Sequence, residues 1–160
     1  MFVDRSNGAV KAEFPTRQYD GQEELADDHA DLLAYRLKGR KRDRLGEVAA
    51  ELTKRNAAGF VYQGKPYQLD DASQARITAL VVKADRAVAG LPGATWSGKF
   101  IAADNTEVTF TAAEFAAFAE AASDIVIARR LYAREIKNAI LAAPDGSALD
   151  AVDISAGWPT

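Results

Sequence analysis

The chain has 160 residues, 48% of them hydrophobic, with 20 basic and 23 acidic side chains and a formal charge of −3. That is enough apolar material for one core with extensions, and the charge balance excludes a polyanion binder acting through overall charge. With no cysteine in the chain, disulfides, thiolate nucleophiles and thiolate metal sites are excluded as well.

The opening stretch, MFVDRSNGAVKAEF, carries a charge every few positions and lacks the apolar centre of a signal peptide. No apolar run approaches the ~20 residues of a membrane span. The expectation is a protein made in the cytoplasm without membrane insertion. FVDR and AVKAEF flank Ser6-Asn7-Gly8, and Asn-Gly tolerates the left-handed backbone of a tight turn, so a small N-terminal hairpin is predicted. Two strands alone are marginal in water, and this pair should lean on its own helices or on a neighbouring chain. After Pro15 a polar loop leads into a helical pattern carrying Leu32, Leu33, Tyr35 and Leu37, with Asp27 or Asp28 as the expected cap.

Between Arg36 and Arg44 the sequence RLKGRKRDR packs six basic residues into nine. A nucleic-acid patch is one reading. Against it, no aromatic residue interleaves the cluster, Asp43 interrupts it, and Glu47 and Glu51 follow at helical spacing as ion-pair partners, so the run reads as a solvated helix face. Leu45, Val48, Ala49 and Leu52 give that helix one packed side to about Ala57, and Gly59 stops it.

From Gly59 to Leu141 one pattern occurs twice: two short apolar strands, a cap, then an amphipathic helix. FVYQ and PYQL flank Gly64-Lys65, and Asp70 or Asp71 caps a helix with Ile77, Leu80, Val81, Ala84 and Val88 on one stripe. Trp96 to Ala103 and Glu107 to Phe110 flank Asp104-Asn105-Thr106, and Thr111 stands three residues before Glu114 at capping-box spacing. The predicted fold class is α+β: a small N-terminal hairpin and helix, then two hairpin-helix units ending in a long amphipathic helix. The corresponding division is a hairpin and helical leader over 1–38, a core domain over 39–143 and an irregular tail over 144–160. Phe60, Tyr62, Tyr67, Leu69, Ile77, Leu80, Val81, Trp96, Phe100, Val108, Phe110, Phe115 and Phe118 are the expected shared core.

The last helix, from Ala112 to about Ala142, is ~45 Å long at 1.5 Å per residue. Phe115, Phe118, Ala122, Ile125, Arg129, Tyr132, Ile136 and Ala139 follow heptad spacing along it. Either its second half projects, with Arg129 and Arg130 in water, or that half packs on another chain with a polar residue setting register. Trp158 in the tail is either a cap on its own domain or an anchor in a partner's pocket. The candidate interface residues are therefore Ile125, Arg129, Tyr132, Ile136, Ile140 and Trp158. Because the helix outruns a compact domain of this size, self-association is expected, a trimer before a dimer.

Catalysis needs an acid, base or nucleophile in a tuned site. The single histidine, His29, sits beside Asp27, Asp28 and Asp31 at a helix start, where the four side chains diverge and the acids suit the helix dipole, so no metal site is expected. Gly64-Lys65 and Gly98-Lys99 lack the spacing of a phosphate loop, and neither G-x-S-x-G nor H-E-x-x-H occurs. No catalytic residue, cofactor or metal is assigned, and the chain reads as a non-enzyme that binds no nucleic acid and does not insert into a membrane.

The residues from Lys41 to Ala151, above all GFVYQGKPYQLDDASQ and FIAADNTEVTFTAAEF, resemble a domain of unknown function of tailed bacteriophages and prophages that lies among tail and tail-fibre genes. The first 35 residues, with QYDGQEELADDHADLLAY, resemble the leader that precedes this domain and are similar in style to tail-fibre assembly proteins. The resemblance brings no catalytic residues. It implies a structural or adaptor protein of the phage tail, a virion component near the fibres or baseplate whose partners are fibre, baseplate or other tail proteins. The alternative it implies is a tail-fibre assembly chaperone, absent from the mature particle.

Overall fold

A computed structural model describes residues 1–160. The fold is α+β, with short antiparallel strands and four helices. The chain forms two compact units, one built from Met1–Glu47 with Lys137–Val152 and the other from Val48–Ile136 with Asp153–Thr160. A boundary at residue 38 does not match this division: that position lies inside one continuous helix, α1 (Ala30–Ala58), which contributes to both units. The long helix α3 (Ala112–Ala142) does the same.

In the first unit, β1 (Phe2–Ser6) and β2 (Ala9–Phe14) form the predicted hairpin. Its turn residues Asn7 and Gly8 have φ of 52° and 80°, the left-handed pair that Asn-Gly favours. The hairpin is not two-stranded: β3 (Glu23–Glu24) pairs with the other edge of β1, giving the order β2-β1-β3. Val3, Leu25 and Leu32 form a small core there with Met1 and Val10 against it, so the unit supplies the support the hairpin needs. Neither Asp27 nor Asp28 caps α1. His29 holds the cap position, its Nδ1 accepting the Asp31 backbone N–H at 3.2 Å. The last turn of α3 and the short helix α4 (Gly146–Asp150) complete the unit. Ile140, Ala143 and Leu149 are buried, and Asp145 Oδ1 caps α4 by accepting the Ala148 N–H at 2.8 Å. The segment after residue 143 is therefore ordered structure rather than an irregular tail.

The basic run is a helix face with a structural task. Arg44 pairs with Glu47 at 2.8 Å, but Arg40 pairs with Asp150, Lys41 Nζ donates to the Leu141 carbonyl at 2.8 Å and Arg44 Nη2 donates to the Val152 carbonyl. Lys41 thus meets a free carbonyl at the C-terminal end of α3, where the helix dipole is negative, and Arg44 does the same just past α4.

The second unit holds the duplicated pattern. Gly59, with φ of 77°, ends α1, and a Cβ there would overlap the carbonyl oxygen of Tyr67. β4 (Phe60–Tyr62) and β5 (Lys65–Tyr67) pair Phe60 with Tyr67 and Tyr62 with Lys65. The turn is Gln63-Gly64, one residue earlier than expected, both with positive φ. Asp70 caps α2 (Asp71–Val88) by accepting the Ser73 N–H at 2.8 Å. β6 (Lys99–Ile101) and β7 (Glu107–Thr109) follow, with Asp104 Oδ1 holding the turn through the Thr106 N–H and hydroxyl. The capping box of α3 is formed in both directions, Thr111 N–H to Glu114 Oε2 at 2.7 Å and Glu114 N–H to Thr111 Oγ1 at 3.2 Å.

Both hairpins, α2 and the first half of α3 share one core, and every residue expected in it belongs to it. At its centre Phe118, fully buried, packs against Phe60, Tyr62, Tyr67, Phe100, Phe110 and Phe115 at ring separations of 4.7 to 5.8 Å. Val88 departs from the predicted stripe and is exposed, being the last residue of α2.

Candidate interaction site

The seam of α3 begins at Phe115 and Phe118 and stays on the buried side through Ala122, Val126, Arg129, Ala133, Ile136 and Ile140. Ala139 falls off it into solvent, because a straight helix drifts from a strict heptad as it lengthens. The candidate interface residues are taken up by the chain itself. Arg129 is 4% exposed, Ile136, Ile140 and Trp158 are buried, and Ile125 and Tyr132 are half-buried. The argument that another chain must cover them is thereby corrected. Ile125 packs on the rim of the aromatic core, and Ile140 is buried in the first unit. The large apolar side chains that α3 leaves exposed are Ile127, Leu131 and Leu141.

The structure brings Arg129, Tyr132 and Trp158 together. Arg129 stands neither in water, as one reading held, nor at a contact with another chain. Its Nη2 donates to the Gly59 carbonyl at 2.8 Å, Nη1 to the Arg55 carbonyl at 2.9 Å, and Nε to the Pro159 carbonyl at 3.1 Å, with Asn56 Oδ1 at 3.5 Å. Arg55, Asn56 and Gly59 are the end of α1, so the guanidinium caps a helix C-terminus from outside and meets the negative end of its dipole. No carboxylate accompanies it. Burial, with Arg55 as a second cause, lowers the Arg129 pKa from its ordinary value.

The same side chain ties down the segment after Val152. Tyr132 Oη donates to the Ala156 carbonyl at 2.8 Å, its ring meets that of Trp158 edge-on at 5.4 Å, and Trp158 Nε1 donates to the Ile154 carbonyl at 2.7 Å. Arg55 Nη2 donates to the Ser155 carbonyl at 2.8 Å, while its Nε binds Glu51 at 2.7 Å and holds that carboxyl below the usual carboxylate range. Gly157, with φ of 78°, lies so close to the Tyr132 hydroxyl that a Cβ would overlap it. Trp158 is thus a cap on its own domain. The Asp153-Ile154-Ser155 turn, in which Asp153 Oδ1 accepts the Ser155 N–H and hydroxyl, was the one local signal for this segment.

The His29 group is engaged locally. Beyond the cap made by His29, Asp31 binds Arg5 at 2.8 Å and Asp27 faces Arg36 at 3.4 Å. No group of three or more His, Cys, Asp or Glu side chains is arranged to hold a metal ion, and no helix is long and apolar enough to cross a membrane.

Two capped hairpin-helix units closed around one aromatic core define a small α+β domain with a C-terminal segment latched by a buried arginine. The chain belongs to the family described as a domain of unknown function (DUF4376), which it matches over residues 39–156. No curated protein and no solved structure matches it.

Proposed function

We propose that this chain is a non-enzymatic structural or adaptor protein of a tailed bacteriophage, a component of the virion tail near the fibres or baseplate. The reading starts from the resemblance of GFVYQGKPYQLDDASQ and FIAADNTEVTFTAAEF to a domain that occurs among tail genes. The observation that supports a structural role is what the residues of those two stretches do. Phe60, Tyr62, Tyr67, Phe100, Phe110 and Phe115 build the shared core, while Asp70, Asp104, Thr106, Thr111 and Glu114 cap helices and hold a turn. The most distinctive side chains serve the fold, so the surface it presents carries the function. Its partners in this reading are fibre, baseplate or other tail proteins. Gold-labelled antibody against the chain should decorate the tail of intact particles in electron micrographs. Labelling of unassembled fibre complexes but not of particles would replace this reading with the assembly chaperone.

A further inference from the structure

The N-terminal sheet has two edges of opposite character. Its order leaves β2 free on one side and β3 free on the other. Beside β2 lies a groove of about 980 Å³ lined by β2 and by α1, including Lys11, Tyr35, Lys38, Gly39 and Arg42. No residue of β1 or β3 lines it, so it opens on the outer side of β2. Tyr35, Lys38 and Arg42 recur at helical spacing and face it together.

The carboxylates of this groove are already engaged: Glu13 with Arg36 at 2.8 Å, Asp31 with Arg5 at 2.8 Å and Asp43 with the neighbouring Arg42 at 3.1 Å. Lys11 and Lys38 have no ion-pair partner, although the chain as a whole is acidic. The opposite edge reverses this. β3 reads Glu23-Glu24, and the chain goes on through Leu25 and Ala26 into a turn at Asp27 and Asp28. Glu24 and Asp28 are exposed and make no ion pair, while Glu23 pairs with Arg5 of β1 and Asp27 faces Arg36 at 3.4 Å.

We infer that the β3 edge of one copy, Glu23 to Asp28, docks in the groove beside β2 of the next, extending the sheet from subunit to subunit head to tail. Each edge strand presents unpaired backbone N–H and C=O groups, and opposite charges across the junction select the partner and suppress pairing of like edges. β2 and β3 are both antiparallel to β1, so they run in the same direction, and β3 of one copy lies parallel to β2 of its neighbour. The bulge between Asp4 and Arg5 leaves Lys11 unpaired with β1 and confines regular strand to Ala12–Phe14, which is sufficient for the two residues of β3. The contact is heterologous: it closes a ring if the rotation between copies allows it and otherwise grows a filament. It concerns the purified chain and stands or falls independently of where the protein acts.

Light scattering coupled to size exclusion, on the full chain at low and high salt, tests it. Wild type is expected to exceed the monomer mass at low salt and to fall towards it as salt screens the junction. Lys11→Glu and Glu24→Lys should each run as monomers, with unchanged circular dichroism because neither side chain makes an ion pair within the chain. The double variant Lys11→Glu/Glu24→Lys restores opposite charges and should associate again. A wild type that stays monomeric overturns the inference. So does association that survives Glu24→Lys, which would point to β2 pairing with β2, and so does a double variant that remains monomeric.

Discussion

Replacing Arg129 by alanine removes the donor from three backbone carbonyls at once, those of Arg55, Gly59 and Pro159. A buried acceptor stripped of its partner costs about 1–3 kcal/mol. The change also relieves the desolvation of a guanidinium that has no carboxylate beside it, and water can reach the two carbonyls that are only partly buried. Summed over three acceptors and reduced by these two offsets, the net loss should be about 3–5 kcal/mol. For a chain of this length that corresponds to a fall in Tm of roughly 6–20 °C. Arg129→Lys keeps the charge but replaces a planar fork by a single ammonium, which cannot span three carbonyls, and should recover less than half of the loss. Urea denaturation of the three proteins, followed by circular dichroism, measures this. A loss below about 1 kcal/mol for the alanine variant would refute the view that one side chain closes the end of α1 and holds the C-terminal segment.

Phe118→Ala should destabilise by about 3–5 kcal/mol, because it empties the centre of the aromatic core, and a change too small to resolve in the same urea titration would contradict the packing described. Asp70→Ala should cost about 1 kcal/mol through loss of the α2 cap, whereas Asp71→Ala should cost less. The folded-state pKa values of Asp70, Asp104 and Glu114 are lowered by the hydrogen bonds each accepts from Ser73, Thr106 and Thr111. Groups shifted this way stabilise the fold above their ordinary values of 3.8 and 4.5 and lose that contribution as pH falls through the folded values. Tm should therefore hold above about pH 5 and drop below about pH 4, with a shallower acid limb in Asp70→Ala; a Tm that rises in acid would show the sign to be wrong. Added zinc or manganese should leave Tm unchanged, and a rise that disappears in His29→Ala would reveal a metal site after all.

What could be read from the residues alone was the part written in local code. The Asn7-Gly8 turn, the Asp70 cap, the Thr111–Glu114 box and the apolar stripes each depend on residues a few positions apart, and they formed, apart from Val88 at the end of α2 and Ala139 on α3. The turn between β4 and β5 lies one residue earlier than expected because Gln63 adopts positive φ ahead of Gly64, a conformation its side chain does not advertise. β3 carries no strand propensity; two glutamates form it because the free edge of β1 lies beside them. The candidate interface was misjudged for a different reason. An arginine at a seam position signals that something polar must face it, but Arg129 finds its acceptors some 70 residues away at the end of α1 and 30 residues on at Pro159, and no spacing rule reaches that far. The basic run concealed a similar long-range task, its partners Leu141, Asp150 and Val152 lying about 100 residues downstream.

The measurement that tests the proposed function most directly is quantitative mass spectrometry of gradient-purified phage particles carrying this chain. A tail component must appear in every particle fraction at a fixed ratio to the other tail proteins. Its absence from particles, with the chain abundant in the infected-cell lysate, would contradict the account.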